Sequence, residues 1–239
     1  TPFPRMSWEK AMADYGTDRP DTRFGLLLKD LTDIFPKSEY RFFQEAVSKG
    51  GIIKGLNAEG CAGWSRKETD DLTYALKAFG AKGLTVIRYQ ADGLAGPVVK
   101  YLTQEEQKKM IERLSAKPGD LIMIMADQFE NANEAMNQLR LMVAKKLNLI
   151  PEGKFNFLWV VDFPLLEWSQ TENRWKSRHH PFTMPVPEDL ELLEKEPGKV
   201  KARAYDIVLN GVEIGGGSIR IHRPDIQERV FRVLGIGEE

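Results

Sequence analysis

The chain has 239 residues, 42% of them hydrophobic and 29% charged, which is enough to form the core of one or two ordinary domains. Its 34 Lys and Arg balance 35 Asp and Glu, so a net charge of -1 excludes a strong overall attraction to nucleic acid. A single cysteine, Cys61, excludes an internal disulfide framework. The single cysteine fits a reducing compartment, so we expect a cytoplasmic protein. No apolar run approaches the roughly 18 residues of a membrane span, so we expect no membrane association.

Residues 1–23 are predicted to form a short helix and a connector. Ser7 is placed to cap a helix that ends before Gly16. The acidic, proline-containing stretch 17–21 then predicts a turn.

Residues 24–150 alternate between strand and helix patterns. Apolar runs at 52–56, 84–89 and 121–125 predict strands. Ser65 with Glu68, and Thr103 with Glu106, fit the capping box that begins a helix. A longer helix is expected over 131–147, and together these elements predict a compact α+β unit.

Residues 151–239 are predicted to form a separate region, because Pro151 and Gly153 interrupt the preceding pattern. The apolar run 155–163 is typical of a strand buried on both faces, and the charged run 188–201 predicts a surface excursion. Strands at 203–209 and 212–222 flank Asn210-Gly211, a strong hairpin signal, and a helix over about 224–234 closes the region.

The hairpin predicts a cluster of acidic side chains. A two-residue turn pairs Val208 with Glu213, so alternation places Asp206 and Glu213 on one face, about 7 Å apart, where they can share a hard cation such as Mg²⁺. We expect this face to continue through Gly215 and Gly217, with Arg220 reaching it only if a bulge lies among residues 215–217. On spacing alone, a surface hairpin with solvated side chains explains the pattern equally well.

The histidine pair is a second candidate. Pro181 favours an extended His180, so the rings of His179 and His180 point in different directions and do not chelate one metal. An extended histidine can instead bind a carboxylate or ammonium group of a ligand. The motif alone favours the simpler alternative, a core histidine with its hydrogen bonds satisfied.

Six stretches resemble bacterial aspartyl-tRNA synthetases in order and spacing: FPRMS (3–7), RPDTRF (19–24), WVVDFPL (159–165), HHPFT (179–183), AYDIVLNG (204–211) and EIGGGSIRIH (213–222). The resemblance implies a class II catalytic domain, an antiparallel sheet with flanking helices, of which residues 1–23 and 151–239 are parts. It also implies that residues 24–150 are an inserted α+β domain of the GAD type, which tRNA-dependent amidotransferases share.

The resemblance implies roles for individual residues. His179 would contact bound L-aspartate, with His180 and Gly216 as further substrate-binding residues. Arg220 would bind the aspartate side chain, since its planar fork matches a carboxylate and mismatches an amide.

On the nucleotide side, Glu213 would contact ATP and act with Arg220 in catalysis. Asp206 and Glu213 would hold Mg²⁺. The implied reaction joins L-aspartate to ATP as aspartyl-adenylate and transfers the aspartyl group to tRNA(Asp), with tRNA(Asn) as a further candidate. The full protein would be a homodimer.

The chain begins without Met, and other motifs of the family's nucleotide pocket are not found in it. We therefore predict that the isolated chain is inactive. The main alternative is a non-catalytic tRNA-binding module related to the amidotransferases. An aspartate-activating ligase that forms an amide and a synthetase of asparaginyl specificity are further alternatives.

Overall fold

The computed structural model describes residues 2–237, which form two compact units. The first unit contains residues 2–11, Asp18–Asp21 and residues 155–237, and the second contains Met12–Thr17 and Thr22–Lys154. Within the described residues, no helix combines the length and apolarity that crossing a membrane requires. The mixture of helices with mainly antiparallel strands confirms the α+β class at this coarse level.

The regular elements, in chain order, are β1 (Arg5–Ser7), α1 (Trp8–Tyr15), β2 (Lys29–Asp30), α2 (Arg41–Ser48), β3 (Ile52–Ala58), α3 (Arg66–Leu76), β4 (Thr85–Gln90), β5 (Gly93–Ala95), α4 (Gln104–Leu114), β6 (Leu121–Asp127), α5 (Phe129–Lys146), β7 (Phe157–Val161), β8 (Leu166–Ser169), β9 (Arg174–Ser177), β10 (Ala204–Leu209), β11 (Val212–Ser218) and α6 (Pro224–Leu234).

The second unit is built on a five-stranded antiparallel sheet of order β2-β3-β6-β4-β5. All seven residues of the central strand β6 are buried, because a hydrophobic cluster covers each face of the sheet. The predicted strands 52–56, 84–89 and 121–125 fall on β3, β4 and β6. The predicted helix 131–147 corresponds to α5, and both capping boxes are present, as in the reciprocal bonds of Ser65 and Glu68.

Two buried cations help to hold this unit together. The Lys54 ammonium donates hydrogen bonds to the carbonyl oxygens of Met12 and Ala13 and, at 2.6 Å, to Oδ1 of Asn133. Burial lowers the pKa of Lys54 to about 8, although the charges of nearby aspartates oppose the shift. Arg140 is fully buried, and its guanidinium donates to three consecutive carbonyl oxygens, those of residues 24–26.

The first unit contains a four-stranded sheet of order β1-β7-β10-β11, in which β1 runs parallel to β7 and the other pairs are antiparallel. Leu158 and Val160 of β7 are buried in a hydrophobic cluster that also includes residues of α6. Phe157 and Trp159 are only half-buried. The prediction that this strand is buried on both faces holds only at its end, where Val160 and Val161 are both buried, because the first two residues of the other face remain half-buried.

The charged run 188–201 also differs from its prediction as a surface excursion. It contains short 3₁₀ helices at Pro187–Leu192 and Pro197–Lys199. Leu193 and Val200 are completely buried in the cluster beneath β7 and β10. Apolar side chains at these two positions anchor a segment whose remaining residues are mostly charged or exposed.

Candidate functional site

The candidate site is built on the β10–β11 hairpin. Asn210 and Gly211 have φ values of 52° and 87°, the positive values that a two-residue hairpin turn of type I′ requires. The Asn210 side chain also accepts a hydrogen bond of 2.9 Å from the backbone N–H of Asn156. The predicted turn is confirmed.

The register of the hairpin shifts within β11. Val208 lies opposite Glu213, as predicted, but Ile207 lies opposite Gly215, so Ile214 is an extra residue. Because side chains alternate along a strand, one extra residue moves all later residues to the other face. The bulge was expected among residues 215–217 and lies one step earlier.

This shift changes which glycine lies beside the acidic side chain. Asp206 pairs with Gly216, and Tyr205 pairs with Gly217 on the opposite face. The prediction that Gly215 and Gly217 share the Asp206 face was therefore wrong. A Cβ atom at Gly216 would lie 2.2 Å from Oδ1 of Asp206, whereas one at Gly217 would lie 3.0 Å from the Tyr205 hydroxyl.

Negative charge accumulates around Asp206. The pKa of its carboxyl group is raised to about 6, chiefly by partial burial and then by the charges of Glu213 and Asp18, while Arg19 opposes the shift. Two carboxylates near Asp206 thus oppose its ionisation. A bound cation would relieve this repulsion.

His179 lies against the same group of charges. Its ring packs edge-on to Phe163 with centroids 4.8 Å apart, and the side chain keeps an exposed surface. Loss of solvent on the packed side lowers its pKa, Arg178 lowers it further, and the carboxylates of Asp18 and Glu213 act in the opposite sense. The imidazole is therefore biased towards its neutral form, which can accept a hydrogen bond.

His180 has a local structural contact. Its Nδ1 atom accepts a hydrogen bond of 3.2 Å from the backbone N–H of Phe182, and the two rings pack together. Nothing in these contacts places His180 among the charges around Asp206.

Arg220 is joined to the histidine motif through the backbone. Thr183 forms an isolated antiparallel bridge with Arg220, flanked by bonds from Met184 N to Ile219 O and from Ile221 N to Phe182 O, each 2.8 Å. β11 itself ends at Ser218 and does not reach His222 as predicted. Counting alternately from Gly216, Arg220 falls on the Asp206 face, and its exposed guanidinium makes no ion pair among residues 2–237.

Asp18 was not predicted as a site residue. The stretch 17–21 was interpreted as a connector turn, yet the charge of Asp18 adds to the effects of burial and Glu213 that raise the pKa of Asp206, and it opposes the effects of burial and Arg178 that lower the pKa of His179. Its Oδ2 atom lies 3.6 Å from the Arg178 guanidinium. The RPDTRF motif, residues 19–24, begins directly after Asp18 and was a sequence signal that this region belongs to the site, although the motif does not include residue 18.

The candidate site contains carboxylates, but they do not form a complete set of metal ligands. Within the range 2–237, no group of three or more His, Cys, Asp or Glu side chains is close enough to hold a metal ion. A cavity of about 360 Å³ lies beside Tyr205 and is lined in part by Arg5 and Arg203, but it includes neither Asp206 nor Glu213. The candidate site is an open sheet face.

Known proteins match the whole of this chain. The sequence model of the family described as tRNA synthetases class II (D, K and N) matches residues 1–239. An aspartate–tRNA(Asp/Asn) ligase of Caldanaerobacter subterraneus subsp. tengcongensis is 51% identical over 238 residues, and an aspartate–tRNA ligase of Bacillus licheniformis is 51% identical over 239. An aspartate–tRNA(Asp/Asn) ligase of Bacillus subtilis is also 51% identical over 239 residues. Each match covers 100% of this chain and 40% of the relative, so the chain spans about 40% of their length.

Proposed function

Since the chain belongs to the class II tRNA synthetases of the D, K and N type, we propose that it forms the aspartate-binding part of an aspartate–tRNA ligase. The observation that carries the proposal is the single sheet face shared by Asp206, Glu213 and Gly216, on which alternation also places Arg220. This face combines clustered carboxylates, a glycine that leaves room for Asp206, and a guanidinium with no ion pair among residues 2–237.

The substrate side chain is assigned to Arg220. Its guanidinium has no partner among the described side chains, and a planar fork binds a carboxylate through two parallel hydrogen bonds. Asparagine would present an amide N–H₂ to the same donors and leave groups unpaired. Mismatches of this kind can reduce the specificity constant by about 10⁴-fold.

We propose that His179 and Gly216 bind L-aspartate, with Gly216 leaving the Asp206 carboxylate room to keep its position, because any side chain at 216 would collide with it. A neutral imidazole can accept a hydrogen bond from the substrate ammonium group, and the low pKa of His179 favours that state. His180 is a weaker candidate, since its Nδ1 atom is already bonded to Phe182.

ATP is assigned to the part of this sheet face that carries the carboxylates of Asp206 and Glu213. Asp206 and Glu213 fit Mg²⁺ because partial burial and then the charge of Glu213 raise the pKa of Asp206, and a divalent cation would favour its ionised form. Two carboxylates suit Mg²⁺, which usually takes its remaining ligands from water and substrate phosphates. When bound, the ion would neutralise charge on the phosphates of ATP.

The residues of this chain would then act mainly by position. Arg220 and His179 would hold L-aspartate while Glu213 orients the ATP end of the site, so that the α-carboxylate attacks the α-phosphate, the bond to the β-phosphate breaks and pyrophosphate leaves. Transfer to tRNA(Asp), and also to tRNA(Asn), would follow from the adenylate. We further propose that residues 24–150 are the inserted GAD-type domain and that the full protein is a homodimer.

The proposal is tested by aspartate-dependent exchange of pyrophosphate into ATP. Because the chain spans about 40% of its relatives, the assay uses a chimera in which it replaces the matching segment of the Bacillus subtilis relative. Exchange is expected in the chimera and not with the 239-residue chain alone. Arg220→Ala should abolish it, whereas Arg223→Ala is the matched control, since Arg223 is paired with Asp225 at 2.6 Å.

A folded chimera without exchange would contradict the proposed function. Equal exchange in the Arg220→Ala and Arg223→Ala proteins would contradict the role of Arg220. The tRNA-binding module remains the alternative that such results would favour.

A further inference from the structure

Arg178 joins separate segments around the candidate site. Its guanidinium lies over the Trp8 ring, 4.8 Å from the centroid, and its Nη1 atom is 3.1 Å from Oε2 of Glu167. Its Nη2 atom is 3.6 Å from Oδ2 of Asp18. Residues from α1, from the turn at 18–21 and from β8 therefore meet at one side chain.

Both carboxylate oxygens of Asp18 face guanidinium groups. Oδ1 lies 3.6 Å from Nε of Arg19, and Oδ2 faces Arg178. The Arg19 side chain is 57% exposed, whereas that of Arg178 is 26% exposed and stacked on an indole. Arg178 is the more firmly held of the two, because stacking and partial burial restrict its rotamers.

The position of Asp18 matters because its partner Arg178 directly precedes His179, and because the next residues, 19 and 21, lie against Gly211 of the hairpin. Moving Asp18 would change the electrostatic field beside His179, where burial and Arg178 lower the pKa and the charge of Asp18 opposes them. Glu167, by binding the other edge of the guanidinium, keeps Arg178 over Trp8.

We propose that Arg178 is a positioning residue that fixes Asp18 beside Asp206 and His179, and thereby sets the affinity of the site for its amino-acid substrate. This inference rests on the proposed function for the identity of the substrate. The geometric part, that Arg178 holds Asp18, can be tested without any activity.

The first test measures the pKa of His179 by NMR in the 239-residue chain. With three histidines in the sequence, the three Hε1 resonances can be assigned by single substitutions of His180 and His222. Asp18→Asn should lower the pKa of His179 when Arg178 is present, because a nearby negative charge is lost. In the Arg178→Met background, Asp18→Asn should have no effect, because Asp18 is no longer held near the ring.

The inference would be overturned if Asp18→Asn lowered the pKa of His179 equally with Arg178 present and in the Arg178→Met background. Arg174→Met is the matched control, because Arg174 begins β9 and pairs with Glu172 at 2.7 Å. In that background Asp18→Asn should retain its full effect. Arg178→Lys, which keeps the charge but loses the fork, should retain part of it, and thermal unfolding of each variant verifies folding.

The second test separates the inference from the proposed function. In the chimera with the Bacillus subtilis relative, Arg178→Met should raise the KM for L-aspartate roughly 10- to 100-fold, as expected for a misplaced binding group, with a smaller change in kcat. An unchanged KM in an active chimera would overturn the positioning role. An inactive chimera with Arg178 intact would refute the proposed function. The positioning role would then be decided by the first test alone, the NMR comparison of the His179 pKa with and without Arg178.

Discussion

Replacing Gly216 by alanine would place a methyl group directly against the Asp206 carboxylate. The added Cβ would lie 2.2 Å from Oδ1 and 3.1 Å from Cγ of Asp206, and 3.3 Å from the carbonyl oxygen of Tyr205. Gly216 does not have a positive φ, so alanine would meet no backbone strain at this position. The effect should come from the collision alone.

The size of the effect follows from that distance. Real Cβ contacts essentially never fall below 3.0 Å, so the carboxylate oxygen must rotate away by about 0.8 Å or more, which costs little stability because it ends a side chain. If Asp206 holds the proposed Mg²⁺, a displacement of about 1 Å can cost roughly 100-fold in rate. This loss corresponds to about 2.7 kcal/mol of transition-state stabilisation. We therefore expect Gly216→Ala to reduce aspartate-dependent pyrophosphate exchange in the chimera by about two orders of magnitude.

Gly217→Ala is the matched control. Its Cβ would meet the far end of the flexible Tyr205 side chain, on the opposite face of the sheet. The exchange rate should fall much less, and both variants should unfold at similar temperatures. Equal rates for the two variants would refute the argument that Gly216 must leave room for Asp206.

Lys54→Met should alter the pH dependence of stability. The pKa of Lys54 is about 8 in the folded chain against a usual value of 10.5, so between these pH values the unfolded chain binds more protons than the folded chain. The free energy of unfolding should therefore rise with pH in this range, by about 3 kcal/mol more in the wild type than in the variant, as measured by urea unfolding. Arg140→Lys should lower the free energy of unfolding by about 3 kcal/mol, because a single ammonium cannot replace a fork that binds three carbonyl oxygens; a loss below about 1 kcal/mol would contradict this. Glu213→Gln should move the pKa of Asp206 from about 6 towards its usual value, measured by carboxyl-carbon NMR, and an unchanged pKa would show that the two side chains do not interact.

Features set by neighbouring residues were predictable from the sequence. The capping boxes at Ser65 and Thr103 depend on contacts three residues apart, and the Asn210-Gly211 turn depends on two backbone angles. The apolar run in β6 was clear because every one of its residues is buried. In each case the residues that determine the structure are adjacent in the sequence.

The register of β11 could not be predicted in the same way. Glycines have no side chains whose alternation would fix the pairing, so the bulge was placed too late and the wrong glycines were put beside Asp206. The roles assigned to Arg220, Glu213 and the histidines remain predictions, since the contacts of a ligand are what would test them.

Long-range contacts were the other source of error. Asp18 meets Arg178 across 160 positions of sequence, and no local pattern could indicate that pairing. Lys54 and Arg140 carry no local signal of burial in the sequence, yet both donate to backbone carbonyl oxygens inside the second unit, and Lys54 also donates to the Asn133 side chain. Leu193 and Val200 were hidden within a charged run in the same way.

The extra residue in β11 means that the number of residues between Glu213 and Arg220, odd or even, decides on which face of the sheet Arg220 lies. Because Ile214 takes up one position without a partner, deleting any one residue between these two would turn Arg220 away from Asp206, and inserting one residue would do the same. A change of two residues would restore the orientation while shifting Arg220 along the strand. The length of this segment, as well as its composition, is therefore constrained by the need to keep a cationic and an acidic side chain on one side of the sheet.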